Sequence, residues 1–336
     1  SERGPSMSDN VVPWSSRIGA WQARLAARRA LSLARGSLGL STLGAPAPVV
    51  KHDVPPLTFE GEALRWRLVP HEGSERGSTT LEVEMHREPC NEIGTTSLTE
   101  LEKLATLVRA GAGGASALLL YSSVRRGFSA GADLRELHAG LVAGSPAGNA
   151  GSLLARTGLG KLAMAHEVRG FIDRIHAVFN TLDMAPITTI AAVHGVCFGG
   201  GFELALTADI IIADKSARFA FPELRLGLVP GFGGIPRLKR DLGNAVVRDI
   251  LLTGRSLNAK RAREVGLVSQ VVARGEGLGV ARKVAEQAGR FDASTTARAK
   301  AFTKTLPYEE LEREKDLFIE MMGSPVVEAA LRRFVE

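Results

Sequence analysis

The stretch Pro186-Ile187-Thr188-Thr189-Ile190-Ala191-Ala192-Val193-His194-Gly195-Val196-Cys197-Phe198-Gly199-Gly200-Gly201-Phe202-Glu203 decides how the rest of the chain is read. The β-branched run Thr188–Val193 reads as a strand, and Pro186 breaks the helix before it. Three glycines follow, and Gly200 to Thr207 reads as a helix. Glycines let a ligand approach the backbone closely. The first N–H groups of a helix have no intrahelical partners and carry partial positive charge. Such a place suits an anion or a developing oxyanion. Phosphate is the rival ligand, but neither Gly-x-Gly-x-x-Gly nor Gly-x-x-x-x-Gly-Lys-Ser/Thr is present here, and Glu203 would repel it.

Two further segments sharpen the reading. Ala117-Leu118-Leu119-Leu120-Tyr121 is a continuous apolar run, as expected of a buried strand, and the loop after it holds Ala130-Gly131-Ala132-Asp133. This small-residue turn can supply a second free N–H, and two donors aimed at one carbonyl oxygen form an oxyanion hole. Phe221-Pro222-Glu223 then places a second carboxyl after Glu203. Enclosure among Phe202, Phe221 and Leu224 would raise one pKa, leaving one carboxyl protonated and one ionised. Taken singly, each glutamate is as well read as a helix-start residue. Phe202 and Phe221 either narrow the pocket or belong to the core. His194 reads as a structural histidine at a strand end.

Outward from this centre, Leu64–Val69 and Leu81–Met85 alternate like paired strands, with a hairpin loop over 71–77. Ser97 and Glu100 form a Ser-x-x-Glu capping box for a helix that carries Leu101, Leu104, Leu107 and Val108 on one face. Residues 139–165 are rich in Gly, Ala and Ser and read as a flexible insertion; a long helix follows over 163–183. Strands Ile210–Ala213, Arg218–Phe221 and Val268–Val272 and helices near 232–241, 244–253, 259–265 and 277–289 come next. Beyond Asp292 the pattern is helical, broken at Leu306-Pro307. Strands separated by helices mean an α/β core.

The bulk numbers narrow the class. The 336 residues are 45% apolar and 5% aromatic, enough for a core that leans on Ala, Val, Leu and Ile. A disulfide framework is not expected from Cys90 and Cys197 alone, and neither has metal-ligand spacing. No apolar run approaches the ~20 residues that cross a membrane. The net charge of +6 suits phosphate-bearing small molecules as well as nucleic acid, and a solvated basic face as well as either. Residues 1–6 read as an expression remnant ahead of Met7. Arg17, Arg24, Arg28, Arg29 and Arg35, with Ile18, Trp21 and Leu25 at helical spacing, mark a basic N-terminal extension over 7–60. It reads as a surface or transit-type helix, a helix packed on the main domain, or an extension without fixed order.

Gly199-Gly200-Gly201-Phe202-Glu203-Leu204-Ala205-Leu206, Ala208-Asp209-Ile210, Phe221-Pro222-Glu223 and Pro230-Gly231-Phe232-Gly233-Gly234 together resemble the enoyl-CoA hydratase/isomerase (crotonase) family. Phe128-Ser129-Ala130-Gly131-Ala132-Asp133-Leu134, Pro89-Cys90-Asn91-Glu92-Ile93 and Gly266-Leu267-Val268 continue the likeness, which runs from about 64 to 335. The resemblance implies a spiral of ββα turns over 61–275, interrupted at about 139–165. It also implies a C-terminal helical region over 276–336 that packs subunits into a homotrimer or dimer of trimers.

The resemblance implies a coenzyme A thioester as substrate, or its acyl-carrier-protein counterpart, with no permanently bound cofactor and no metal. The thioester oxygen would lie between the N–H groups of Ala132 and Gly200. Glu203 would act as base toward a water, and Glu223 would exchange the proton at the α-carbon. Ala130, Asp133, Leu134, Gly199, Pro222 and Gly231 flank these positions as expected substrate contacts. Both carboxyls together favour hydration or dehydration over isomerisation, while an isomerase, a thioester hydrolase or an RNA- or partner-binding member remains the alternative. Nucleic acid is not expected as a partner, and a cytoplasmic location is expected. Arg125 and Arg126 stand where coenzyme A phosphates or plain solvent would meet them.

Overall fold

The computed structural model describes residues 54–71, 77–143 and 158–335. The basic stretch 17–35 and the centre of the expected insertion lie outside the described residues. Strands β1 (Phe59–Glu60), β2 (Leu64–Pro70), β3 (Thr79–Met85), β4 (Ala117–Ser122), β6 (Thr188–Val193), β8 (Ile210–Asp214) and β11 (Gln270–Val272) form a seven-stranded sheet in the order β1-β2-β3-β4-β6-β8-β11. The β2–β3 pair is antiparallel, as the hairpin reading expects, and every pair from β3 to β11 is parallel. A second sheet, β10-β9-β7-β5, joins β5 (Gly127–Ser129), β7 (Val196–Phe198), β9 (Arg218–Ala220) and β10 (Leu257–Asn258). The two sheets alternate along the chain: β4 then β5, β6 then β7, β8 then β9. Each repeat therefore lays one strand in each sheet before the next crossover.

The continuous apolar run of β4 has its cause in two-sided burial. Successive side chains of a strand point to opposite faces. Leu118 and Leu120 enter the main core, while Ala117, Leu119 and Tyr121 face a smaller core with Ile190, Ile212, Ala281 and Ala285. The helix α1 (Thr95–Arg109) buries Leu101, Leu104, Leu107 and Val108 as its spacing predicts. The further helices are α2 (Leu134–Ala143), α3 (Gly158–Asp183), α4 (Gly200–Ala205), α5 (Gly234–Leu242), α6 (Asn244–Thr253), α7 (Ala259–Glu264), α8 (Gly277–Ala288), α9 (Ala293–Thr303), α10 (Tyr308–Met322) and α11 (Pro325–Val335). The break expected at Leu306-Pro307 separates α9 from α10.

Three expectations change. The capping box does not form: Gly94 is the N-cap of α1 and Glu136 Oε2 accepts from Thr95 N at 2.7 Å instead. Glu100 is buried and turned away, accepting from the N–H groups of Glu62, Ala63 and Leu64 at 2.7–3.0 Å. A carboxylate that meets three free N–H groups at a chain bend is held more strongly there than by one N-cap N–H. Second, the stretch 139–165 is not one loop, since α2 extends to Ala143 and α3 begins at Gly158. Alanine-rich composition suits helix as well as linker. Third, β7 was not expected, because three residues between a glycine turn and a helix carry no periodicity.

Candidate functional site

The glycines after β7 do what a strand-to-helix turn demands. Gly199 has φ +49, and a Cβ there would stand 2.5 Å from Glu223 Oε1. Gly131, at φ +97, faces it across the gap; its Cβ would lie 2.8 Å from Phe198 O and 2.9 Å from Gly200 N. Only glycine permits two turns this close. The Ala130–Asp133 turn is fixed from behind. Ala130 N donates to Cys90 O, Gly131 N to the Ser129 hydroxyl, and Asp133 N to Ile93 O. The side-chain amide of buried Asn91 donates to Ser122 and to Phe128 O, and its main-chain carbonyl accepts from the Ser129 hydroxyl.

Within this frame the Ala132 N–H and the Gly200 N–H donate to no acceptor among the described residues. A Cβ added to Gly200 would come within 3.4 Å of Ala132 N, so the two N–H groups are neighbours. Both residues line one cavity of about 310 Å³. Glu203 and Glu223 line it too, as do Asp133 and Gly231, with Ile93, Leu137, Val168, Phe171, Phe232 and Phe318 among its apolar walls. Of the other expected contacts, Ala130 and Leu134 lie on the turn and at the start of α2, Gly199 donates to Ala220 O, and Pro222 precedes the 3-10 turn Glu223–Leu226; none of the four lines the cavity.

The two carboxyls sit in unlike surroundings. Glu203 is 2% exposed, and its Oε1 accepts from Phe232 N and Gly234 N, both at 2.8 Å. Burial pushes it up to about 7, against the pull of these two donors and of the Arg237 guanidinium. Glu223 is half-buried, but its Oε2 is enclosed with no hydrogen-bond partner among the described residues. Burial, and after it the neighbouring Glu203 charge, hold its carboxyl well above the ordinary range. Two coupled acids at one cavity therefore lose their protons in separate steps.

Phe202 and Phe221 are fully buried and stack at 4.8 Å without lining the cavity, so they are core. His194 Nε2 pairs with Val124 O at 2.9 Å, the structural role expected of it. Arg125 and Arg126 are exposed, and Cys90 and Cys197 are unbridged. Sequence reasoning missed the buried Glu314 of α10, which accepts from Gly233 N at 2.6 Å and Ile235 N at 2.9 Å. Its signal was the spacing Leu311, Glu314, Phe318, which places it on the buried face of its helix.

The enoyl-CoA hydratase/isomerase family model matches residues 161–336. The probable enoyl-CoA hydratase echA8 of Mycobacterium tuberculosis (strain CDC 1551 / Oshkosh) is 35% identical over 194 residues, which is 56% of this chain and 75% of that protein. Carnitinyl-CoA dehydratase of Proteus mirabilis (strain HI4320) is 49% identical over 98 residues, covering 29% of this chain and 38% of that enzyme. The crystal structure of enoyl-CoA hydratase from Bacillus halodurans aligns over 80% of this chain and 99% of its own, with a TM-score of 0.64 at 20% identity, a likeness of fold. By sequence and by fold, the chain belongs to the enoyl-CoA hydratase/isomerase family.

Proposed function

We propose that this protein adds water to, or removes it from, the 2,3 double bond of an acyl-CoA thioester. The observation that carries the reading is the meeting, at one cavity, of two unpartnered N–H groups and two carboxyls with unlike acidities. In the hydration direction the thioester oxygen accepts from Ala132 N–H and Gly200 N–H. Ionised Glu203 takes a proton from water as the water oxygen bonds to C3. The C2–C3 π electrons move toward the thioester, whose oxygen carries the enolate charge between the two donors. Protonated Glu223 then gives its proton to C2, and the product is a 3-hydroxyacyl thioester. The surroundings support this division, because two N–H donors stabilise an ionised Glu203, whereas burial and the unpartnered Oε2 favour the protonated form of Glu223. Dehydration reverses the same steps. Coenzyme A enters only as part of the substrate.

The apolar cavity walls support an acyl group that is largely hydrocarbon. Glu203→Gln and Glu223→Gln test the mechanism by following the enoyl absorbance across a series of 2-enoyl-CoA chain lengths. Each is expected to lose about 10²–10⁴ in kcat while remaining folded. Near-normal hydration by Glu203→Gln would overturn the role of Glu203 as base; a wild type that shifts the double bond without hydrating it, and keeps that activity in Glu203→Gln, would make an isomerase the better reading.

A further inference from the structure

The segment Gly231–Ile235 is held at every peptide by a buried side chain. His176 Nε2 pairs with Gly231 O at 2.9 Å, and Arg237 Nη1 donates to Phe232 O and Gly233 O, each at 3.2 Å. The four following N–H groups alternate. Those of Phe232 and Gly234 go to Glu203, and those of Gly233 and Ile235 go to the two oxygens of Glu314. Gly233 has φ +96, and a Cβ there would strike Arg237 at 2.0 Å and Leu311 at 2.8 Å. A Cβ on Gly231 would meet Phe318 at 2.5 Å. Leu311, Glu314 and Phe318 thus form the one face of α10 that clasps this loop.

Glu314 makes no ion pair of its own among the described residues, so its burial is costly for stability, and an apolar residue would suit the face better. What the carboxyl contributes is direction. With the N–H groups of Gly233 and Ile235 tied to α10, the alternate N–H groups of Phe232 and Gly234 point the other way, toward Glu203. We propose that Glu314 is a positioning residue for Glu203, acting through the Phe232–Ile235 backbone. The proposal rests on the hydratase reading for its effect on rate, and on geometry alone for its effect on Glu203. The charged and titratable groups around the pair are Glu223, Arg237 with its partner Asp183, neutral His176, and Lys315, which is tied to Asp173 and Glu312.

The test compares wild type with Glu314→Ala and Glu314→Gln in two measurements. The first is kcat and KM on a 2-enoyl-CoA that the wild type hydrates. Glu314→Ala is expected to lower kcat by about a hundredfold, as misplaced catalytic groups do, with KM within about threefold. The isosteric Glu314→Gln keeps one acceptor oxygen and should retain part of the rate. The second is the Glu203 titration, read by ¹³C NMR of glutamate labelled at its carboxyl carbon and assigned with Glu203→Gln. Loosened N–H donors leave the Glu203 anion less stabilised, so its pKa moves up in Glu314→Ala and by less in Glu314→Gln. A titration that stays put or moves down overturns the proposal. So does a fall in kcat matched by an equal rise in KM. If Glu314→Ala does not fold, Glu314→Gln carries both measurements. If the wild type hydrates no enoyl-CoA, the hydratase reading fails and the titration still decides the positioning role.

Discussion

At the scale of single residues, the same side chain is governed by where its atoms end. Glu203 and Glu223 have one intrinsic acidity and two environments. Glu203 has two N–H donors and a nearby guanidinium, whereas Glu223 has an enclosed oxygen with no partner among the described residues. On the proposed mechanism, the raised Glu203 carboxyl sets the acid side of the pH profile. As base it must be ionised, so kcat/KM is expected to rise tenfold per pH unit until about pH 7 and then level. A limb near 4.5, the ordinary value for this carboxyl, would overturn the assignment. The linkage to folding has the opposite sign. Between 4.5 and about 7 the folded state holds a proton that the unfolded state has lost, so Glu203 stabilises less as pH rises. Urea midpoints should accordingly decline less with pH in Glu203→Gln than in wild type.

At the scale of elements, α3, α5 and the segment between α9 and α10 meet at a buried charge cluster. Asp183, at the end of α3, accepts from Arg237 at 2.7 Å and pairs with Arg240 at 3.1 Å and Lys304 at 2.9 Å. Burial pulls the Asp183 carboxyl up, but these three cations hold it below its ordinary value. Arg237 has no exposed surface and also donates to Asn180 and to two loop carbonyls. Removing the acid leaves buried Arg237 without an ion-pair partner among the described residues, whereas Arg240 keeps Asp241 and Lys304 keeps Asp209. Asp183→Asn is therefore expected to cost about 3–5 kcal/mol, read as a lowered urea midpoint at unchanged m. A loss below 1 kcal/mol would mean that Asn180 and the carbonyls suffice to hold the guanidinium.

At the scale of the whole molecule, the cavity draws its walls from far apart in sequence. Ile93 precedes α1, Phe171 and Val168 lie on α3, Phe232 belongs to the clasped loop, and Phe318 comes from α10. Acyl preference should depend on distant helices as much as on the glycine turns. Phe318→Ala is expected to shift the ratio of kcat/KM between a longer and a shorter 2-enoyl-CoA toward the longer by about 10–200-fold, the range that methylene-scale pocket changes give. An unchanged ratio across chain lengths would show that Phe318 serves packing against Gly231 alone.

The sequence by itself determined the α/β class, the buried core strands, the two glycine turns and the two carboxyls. Those features follow from local rules: two-sided burial makes an unbroken apolar strand, and positive φ or close backbone approach demands glycine. It misread Ser97 and Glu100 as a cap, because a capping pattern does not show which other N–H groups a long side chain can reach. It left Phe202 and Phe221 between pocket wall and core, and packing placed them in the core. Only the tertiary structure set Glu314 beside Glu203, although 111 positions separate them in the chain. Their meeting depends on how α10 lies across a loop, and no local pattern in either segment encodes that contact.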